Sequence, residues 1–228
     1  MFNRDNALGC DDSHVVDVVF NDNCSVPLHK QLVTPLQHLM ASARQAGFSL
    51  NVASGYRSFG RQQAIWDAKA CGHRPVLDAQ ERPIHLTTLT ACEQVRAILR
   101  WSALPGGSRH HWGCDIDIYE ASALPNGQSL ALTTIEANTL FIDFYDWLED
   151  HLAYQEDFFR PYYGNNKGAV ANEPWHLSYK PLAQKYEKLC DYQAFRQQLI
   201  NANIQLIDAV LEQLPFIYEH YVAAYFTA

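Results

Sequence analysis

The segment Cys-Asp-Ile-Asp-Ile-Tyr, residues 114–119, constrains this chain more than any other. It alternates strictly, so as a strand it sets Cys114, Ile116 and Ile118 on one face and Asp115, Asp117 and Tyr119 on the other. The apolar face has to lie on a core. The opposite face carries two carboxylates side by side, which repel each other unless at least one of them faces a cation. Just upstream stand a Pro-Gly-Gly loop signal at 105–107 and the pair His110 and His111. The strand therefore delivers acidic groups to a place where imidazoles are also on offer.

Around that strand the pattern is mixed. Residues 1–27 read as polar and irregular. Leu28, Leu32, Leu36 and Leu39/Met40 recur at helical spacing and predict a helix over 28–46, with Pro35 marking a kink or the true first turn and Gly47 the stop. Residues 48–57 read as a strand running into a turn at Gly55. A helix follows over 58–69, capped by Ser58, with Ile65 and Trp66 on its apolar face. A long loop is expected over 71–90, and a helix over 90–101 built on Leu89, Val95, Ile98 and Leu99. Residues 133–154 read as one helix, and 161–179 as a loop followed by a short strand. From Pro181 onward the chain is mostly helical, with one or two long amphipathic helices over 192–225. With no internal repeat, low-complexity tract or clean linker, the expectation is a single α+β domain over 1–228, its core motifs in 48–180 and a helical C-terminal extension over 181–228.

Composition narrows the function classes. Hydrophobic residues at 48% against charged residues at 18% support a sizeable buried core. A net charge of −8 and the absence of any Lys/Arg run argue against nucleic acid as a partner, because phosphate neutralisation supplies much of such binding. No stretch reaches the roughly 18 apolar residues of a membrane helix. The first residues lack the basic-then-apolar order of a signal peptide, so the default expectation is a cytoplasmic protein without a transmembrane segment. The six cysteines are dispersed with no CxxC pair, which reads as reduced core thiols rather than a disulfide framework. The sequence does not specify an oligomeric state.

Among the ten histidines, His14, His29, His73 and His220 read as surface or satisfied core residues, whereas His110 stands out by its company. The Asp-Ile-Asp strand follows it directly, and Glu173-Pro174-Trp175-His176 comes later. Zinc favours imidazole nitrogen and carboxylate oxygen, and a catalytic zinc keeps three protein ligands and one open position. A further carboxylate off the metal can accept a proton from water. Pro174 biases Glu173 towards an extended conformation, so this is not a helical metal motif. Glu173 is expected where a loop enters a strand, and His176 inside that strand. Spacing alone leaves the choice between Asp115 and Asp117 open.

Three segments resemble a known family. Ser-Gly-Tyr-Arg-Ser at 54–58, SRHHWGCDID at 108–117 and EPWH at 173–176 are similar to the S-G-Y-R-S, S-x-H-x-x-G-x-A-x-D and E-x-W-H motifs of the D-Ala-D-Ala carboxypeptidases and dipeptidases of the LAS metallopeptidase group, in particular the VanY-like carboxypeptidases. The resemblance implies a hedgehog/D-Ala-D-Ala-peptidase-like fold, in which a small antiparallel sheet flanked by helices carries the zinc site. It implies one catalytic Zn2+ held by His110, Asp117 and His176, with Glu173 as general base. Arg57 would hold the peptide carboxylate or the oxyanion, and Ser108 would hydrogen-bond substrate near the metal. The implied substrate is a peptidoglycan-derived peptide losing a terminal D-Ala. A cell-wall endopeptidase and a D,D-dipeptidase are the neighbouring alternatives. A non-catalytic zinc-binding interaction domain is the alternative of another class, and a free Glu173 speaks against it. Asp115 replaces the motif's Ala, and no role follows from the resemblance. His111 is expected to point away from the metal, and Trp112, Trp175, Tyr56 and Tyr163 to serve packing.

Overall fold

The structure is a computed structural model that describes residues 2–21, 24–164 and 168–227. A single turn, α1 (Arg4–Ala7), precedes a hairpin of β1 (Val15–Asn21) and β2 (Cys24–His29). The chain continues through α2 (Val33–Gln45), β3 (Leu50–Ser54), α3 (Phe59–Ala70), the short pair β4 (Val76–Leu77) and β5 (Pro83–Ile84), and α4 (Ala91–Leu99). Then come β6 (Asp115–Glu120), α5 (Thr134–Asn138), α6 (Ile142–Tyr154), β7 (Phe158–Phe159) and β8 (His176–Tyr179). The C-terminal part is α7 (Lys180–Glu187), α8 (Tyr192–Ala202) and α9 (Ile207–Ile217). Among the described residues β3, β6, β8 and β7 form an antiparallel sheet in that order, flanked by helices, which is the small-sheet α+β architecture expected.

The alternating segment lies at the middle of this sheet. Ile116 and Ile118 are fully buried, in one core with Leu36, Leu39, Val52, Phe144 and Leu148. The acidic face is covered as well, because antiparallel pairing with β8 places Asp117 opposite His176 and Asp115 opposite Ser178. Both carboxylates are therefore withdrawn from water and depend on partners from the chain. A second core joins α3 and α4 to α8 and α9 through Trp66, Val95, Ile98, Leu199, Val210 and Leu214. The Trp66 indole donates to the Gln205 carbonyl at 2.9 Å, which ties α3 to the chain entering α9.

Several local expectations are corrected. Residues 1–27 are not irregular: Asn3 and Asn6 form a reciprocal capping box, and the hairpin follows. That hairpin keeps Val16 and Val19 exposed, so its sequence lacks a clean apolar face; residues 22 and 23 lie outside the described residues. The helix read over 28–46 starts at Val33, because Leu28 is buried from β2 into the same core. Pro35 stands in its first turn, where a missing N–H costs nothing. The loop read over 71–90 contains the β4–β5 pair, and β7 was not foreseen.

The 133–154 helix breaks into α5 and α6. The 192–225 run divides at Asn203 and Leu206, both at positive φ, and closes with a π-turn over Tyr218–Val222 followed by a 3-10 turn over Ala223–Tyr225. The loop of 161–175 includes residues 165–167, which lie outside the described set. Cys10, Cys71, Cys92, Cys114 and Cys190 are free thiols, but Cys10 and Cys71 are exposed and, of these five, Cys114 alone is buried. The Cys24 side chain lies outside the described residues. No helix among the described residues is long and apolar enough to cross a membrane.

Candidate metal centre

The β6–β8 register that covers the acidic face also builds the site. Asp117 Oδ1 lies 3.2 Å from His176 Nδ1, and Asp117 Oδ2 lies 3.4 Å from His110 Nε2. Candidate ligand atoms of His110, Asp117 and His176 all fall within 4.8 Å of one another, and all three residues are buried. His110 rides on a 3-10 turn, Arg109–Trp112, that ends at Gly113 with φ +66° before the chain enters β6. A Cβ at Gly113 would sit 2.9 Å from the backbone nitrogen of His29, on a backbone conformation that L side chains rarely adopt. The glycine thus permits the reversal that brings His110 over Asp117.

Hydrogen bonds assign the two ring orientations. His110 Nδ1 is 2.9 Å from the Gly55 carbonyl, which can only accept, so Nδ1 carries the proton and the Nε2 lone pair faces Asp117. His176 Nε2 is 3.1 Å from Asp115 Oδ1, again an acceptor, so His176 turns Nδ1 towards Asp117 and Glu173. Two imidazole nitrogens and a carboxylate converge, and Asp117 Oδ1 is buried without a hydrogen-bond donor. Such a donor set leaves a place for a cation, and two histidines with one aspartate fit zinc.

The protonation states point the same way. Burial opposes ionisation of Asp117, but His110 and His176 beside it hold its carboxyl far below the usual range. Burial alone would push His176 down; its hydrogen bond to Asp115 and the Asp117 carboxylate 3.2 Å from Nδ1 outweigh that and raise it to about 9.

Glu173 lies in the loop before β8, with its backbone N–H donating to the Tyr162 carbonyl at 2.8 Å and its carbonyl accepting from His176 N at 3.2 Å. Its Oε2 is 3.7 Å from His176 Nδ1, and burial raises its pKa to about 7. Its carboxyl therefore resists ionisation more than that of an exposed glutamate. Arg57 follows β3 and donates from Nη1 to Gln62 Oε1 at 2.9 Å and from Nη2 to Ser54 Oγ at 3.2 Å. Its guanidinium forms no ion pair among the described residues, so its charge is available to a ligand. Ser108, buried just before the His110 turn, lines the same cleft. Arg57, Ser108, His110, Asp117, Glu173 and His176 come together there from segments more than a hundred residues apart.

His111 points away from the triad, as expected. Its Nε2 accepts from Gly106 N at 2.9 Å and its Nδ1 reaches the Arg57 carbonyl, so this ring binds the Gly-Gly loop to the arginine segment. Trp112 and Trp175 are buried, whereas Tyr163 is exposed beneath the Arg160 guanidinium rather than packed in the core. Sequence reasoning missed Gln62, whose signal was its place five residues after Arg57 on a capped helix. It also missed Tyr162, whose ring meets His176 edge-on at 4.7 Å between centroids. Nothing in the spacing marked Tyr162.

Comparison with known proteins gives a consistent set. Residues 25–182 match the family model described as VanY: D-alanyl-D-alanine carboxypeptidase. A D-alanyl-D-alanine carboxypeptidase of Enterococcus faecalis is 30% identical over 146 residues, 63% of this chain and 45% of that protein. A Haemophilus influenzae protein described as uncharacterized is 33% identical over 123 residues, 52% of this chain and 92% of that protein. The chain therefore spans most of the Haemophilus relative but under half of the Enterococcus one. A mutant of the vancomycin resistance D,D-pentapeptidase VanY in complex with Zn(II) is 25% identical, with a TM-score of 0.50 over 78% of this chain and 86% of that one. VanYB in complex with D-alanine-D-alanine is 25% identical, with a TM-score of 0.51 over 76% of this chain and 83% of that one.

Proposed function

Because the chain belongs to the VanY D-alanyl-D-alanine carboxypeptidase family, we propose that it is a zinc-dependent D,D-carboxypeptidase that removes the terminal D-Ala from peptidoglycan stem peptides. One observation carries this reading: His110, Asp117 and His176 converge in a cleft beside a further carboxyl group, Glu173, whose pKa is raised to about 7. The Zn(II) complex of one structural relative and the D-Ala-D-Ala complex of another support the choice of metal and of substrate.

His110 Nε2, Asp117 and His176 Nδ1 would hold the ion. When bound, zinc supplies Lewis acidity to the attacking water and to the scissile carbonyl. The chain's own groups do the rest. Glu173 accepts the water proton as attack proceeds and delivers it to the departing amine of D-Ala. Its raised pKa suits both transfers, since a base matched to ambient pH can also serve as the acid. Arg57, fixed by Gln62 and Ser54, turns its remaining N–H groups to the substrate carboxylate or to the oxyanion. The Ser108 hydroxyl hydrogen-bonds the peptide alongside. A site built only to hold zinc for structure has no use for an unligated glutamate facing the cleft, which weighs against a non-catalytic interaction domain.

A stem pentapeptide ending in D-Ala-D-Ala, followed by mass spectrometry, tests the reading. Loss of one D-Ala is the expected product. Release of the intact dipeptide would replace the assignment with a D,D-dipeptidase, an internal cut with an endopeptidase. No cleavage by the zinc-loaded protein would favour the interaction domain.

A further inference from the structure

Asp115 stands at a position where the resembling motif carries Ala, and the hydrolysis described above makes no use of it. It is nevertheless fully buried, and its oxygens are fully engaged. Oδ1 accepts from Arg109 Nε at 2.7 Å and from His176 Nε2 at 3.1 Å. Oδ2 accepts from Ser178 Oγ at 3.0 Å and lies 3.4 Å from Cys114 Sγ. Arg109 closes the arrangement: its Nη2 donates to Ser178 Oγ at 2.9 Å, and its Nη1 to the Tyr225 carbonyl at 3.0 Å and to Glu187 at 3.3 Å.

Two simpler roles fit this geometry poorly. As a metal ligand, Asp115 is on the wrong edge of the ring: it meets His176 Nε2, whereas Asp117 and Glu173 meet Nδ1. As a mere counter-ion for Arg109, it would not need the imidazole, and Arg109 already has Glu187, Tyr225 and Ser178. The remaining arrangement is a carboxylate that receives the outer N–H of a metal-ligating histidine, a partnership that fixes tautomer and ring orientation and raises ligand basicity. The other histidine of the triad, His110, gives its outer N–H to a backbone carbonyl instead.

We propose that Asp115 is a positioning residue for the metal: clamped by Arg109 and Ser178, it accepts the Nε2–H of His176 and so aims His176 Nδ1 at the ion. The clamp reaches from β6 through Arg109 to α7 at Glu187 and to the C-terminal segment at Tyr225. Glu187 in turn accepts from Thr227 N and Oγ1, so the end of the described chain is anchored to the same network. This inference rests on the reading of His176 as a ligand.

The test is zinc affinity, by competition with a chromophoric chelator, for the wild type, Asp115→Ala, Asp115→Asn and the double variant Arg109→Met/Asp115→Asn. The double variant leaves no stranded buried cation. Asp115→Ala should bind zinc about 10- to 100-fold more weakly, the usual range for such partners. Asp115→Asn should recover part of the loss, because an amide oxygen still accepts from Nε2–H. The double variant should stay weak although its charges balance. Affinities within twofold of wild type in the folded variants would overturn the proposal. If the variants do not fold, the ring 15N spectrum of the zinc-loaded wild type decides: a slowly exchanging His176 Nε2–H is expected, and a proton on Nδ1 would refute it. Failure of the wild type to bind zinc at all would instead overturn the metal reading itself.

Discussion

In the proposed mechanism, Glu173 is the residue on which the chemistry turns. It is the acidic side chain of the cleft that approaches the triad without joining it, and its burial keeps the carboxylate from being locked in its charged form. Glu173→Gln should keep stoichiometric zinc, since no ligand is altered, and should lower kcat by about 10²–10⁴, the range for a positioned general base. Metal analysis alongside kcat checks both halves; an unchanged kcat would remove Glu173 from the proton transfers. The three motifs made the six candidate residues legible, and strand parity placed Asp115 and Asp117 on one face. What parity could not reveal was the division of labour between them. The proposed division depends on Arg109 and Ser178, which the fold brings to Asp115, and on Glu187, which holds Arg109 in turn.

At the scale of elements, the site is a register between two strands plus one reversal. β6 was readable because its apolar face alternates, α3 because Ser58 caps it, and α4 because Val95, Ile98 and Leu99 recur at helical spacing. The β1–β2 hairpin was not readable, since the paired valines of Val15–Val19 break the alternation and leave Val16 and Val19 exposed. The reversal at Gly113 carries a sharper expectation. Gly113→Ala places a side chain in the left-handed region and against the His29 backbone, so it should cost on the order of 1–3 kcal/mol by denaturant unfolding. Because the same turn sets His110 over Asp117, zinc affinity should fall as well. A variant as stable as wild type would mean that the turn can be made without the glycine.

Across the whole molecule, we propose that the C-terminal helices belong to the same folding unit as the motif-bearing region, because Ile217, Tyr221 and Val222 line the cleft beside the candidate site. The helical character of this region was legible in the sequence. Its breaks at Asn203 and Leu206 were not, because left-handed residues other than glycine carry little signal.

Stability should depend on pH through the histidines buried as neutral rings. Burial, with His14 and nearby lysines, lowers His29 from its ordinary 6.5 to about 4. Between those values the unfolded chain binds a proton that the folded chain refuses, so stability is full above 6.5 and declines as pH falls towards 4. Thermal melts should show Tm decreasing over that window, less steeply in His29→Gln; an identical slope in the variant would take His29 out of the effect.

The central claim is that one metal ion in this cleft enables the hydrolysis. The most direct measurement is a zinc titration of the chelator-stripped protein, reading the rate at which a D-Ala-D-Ala stem peptide releases D-Ala. The account predicts no turnover without metal, a linear rise, and a break at one equivalent of zinc. A rate indifferent to chelation, or no hydrolysis once one equivalent is bound, would contradict it.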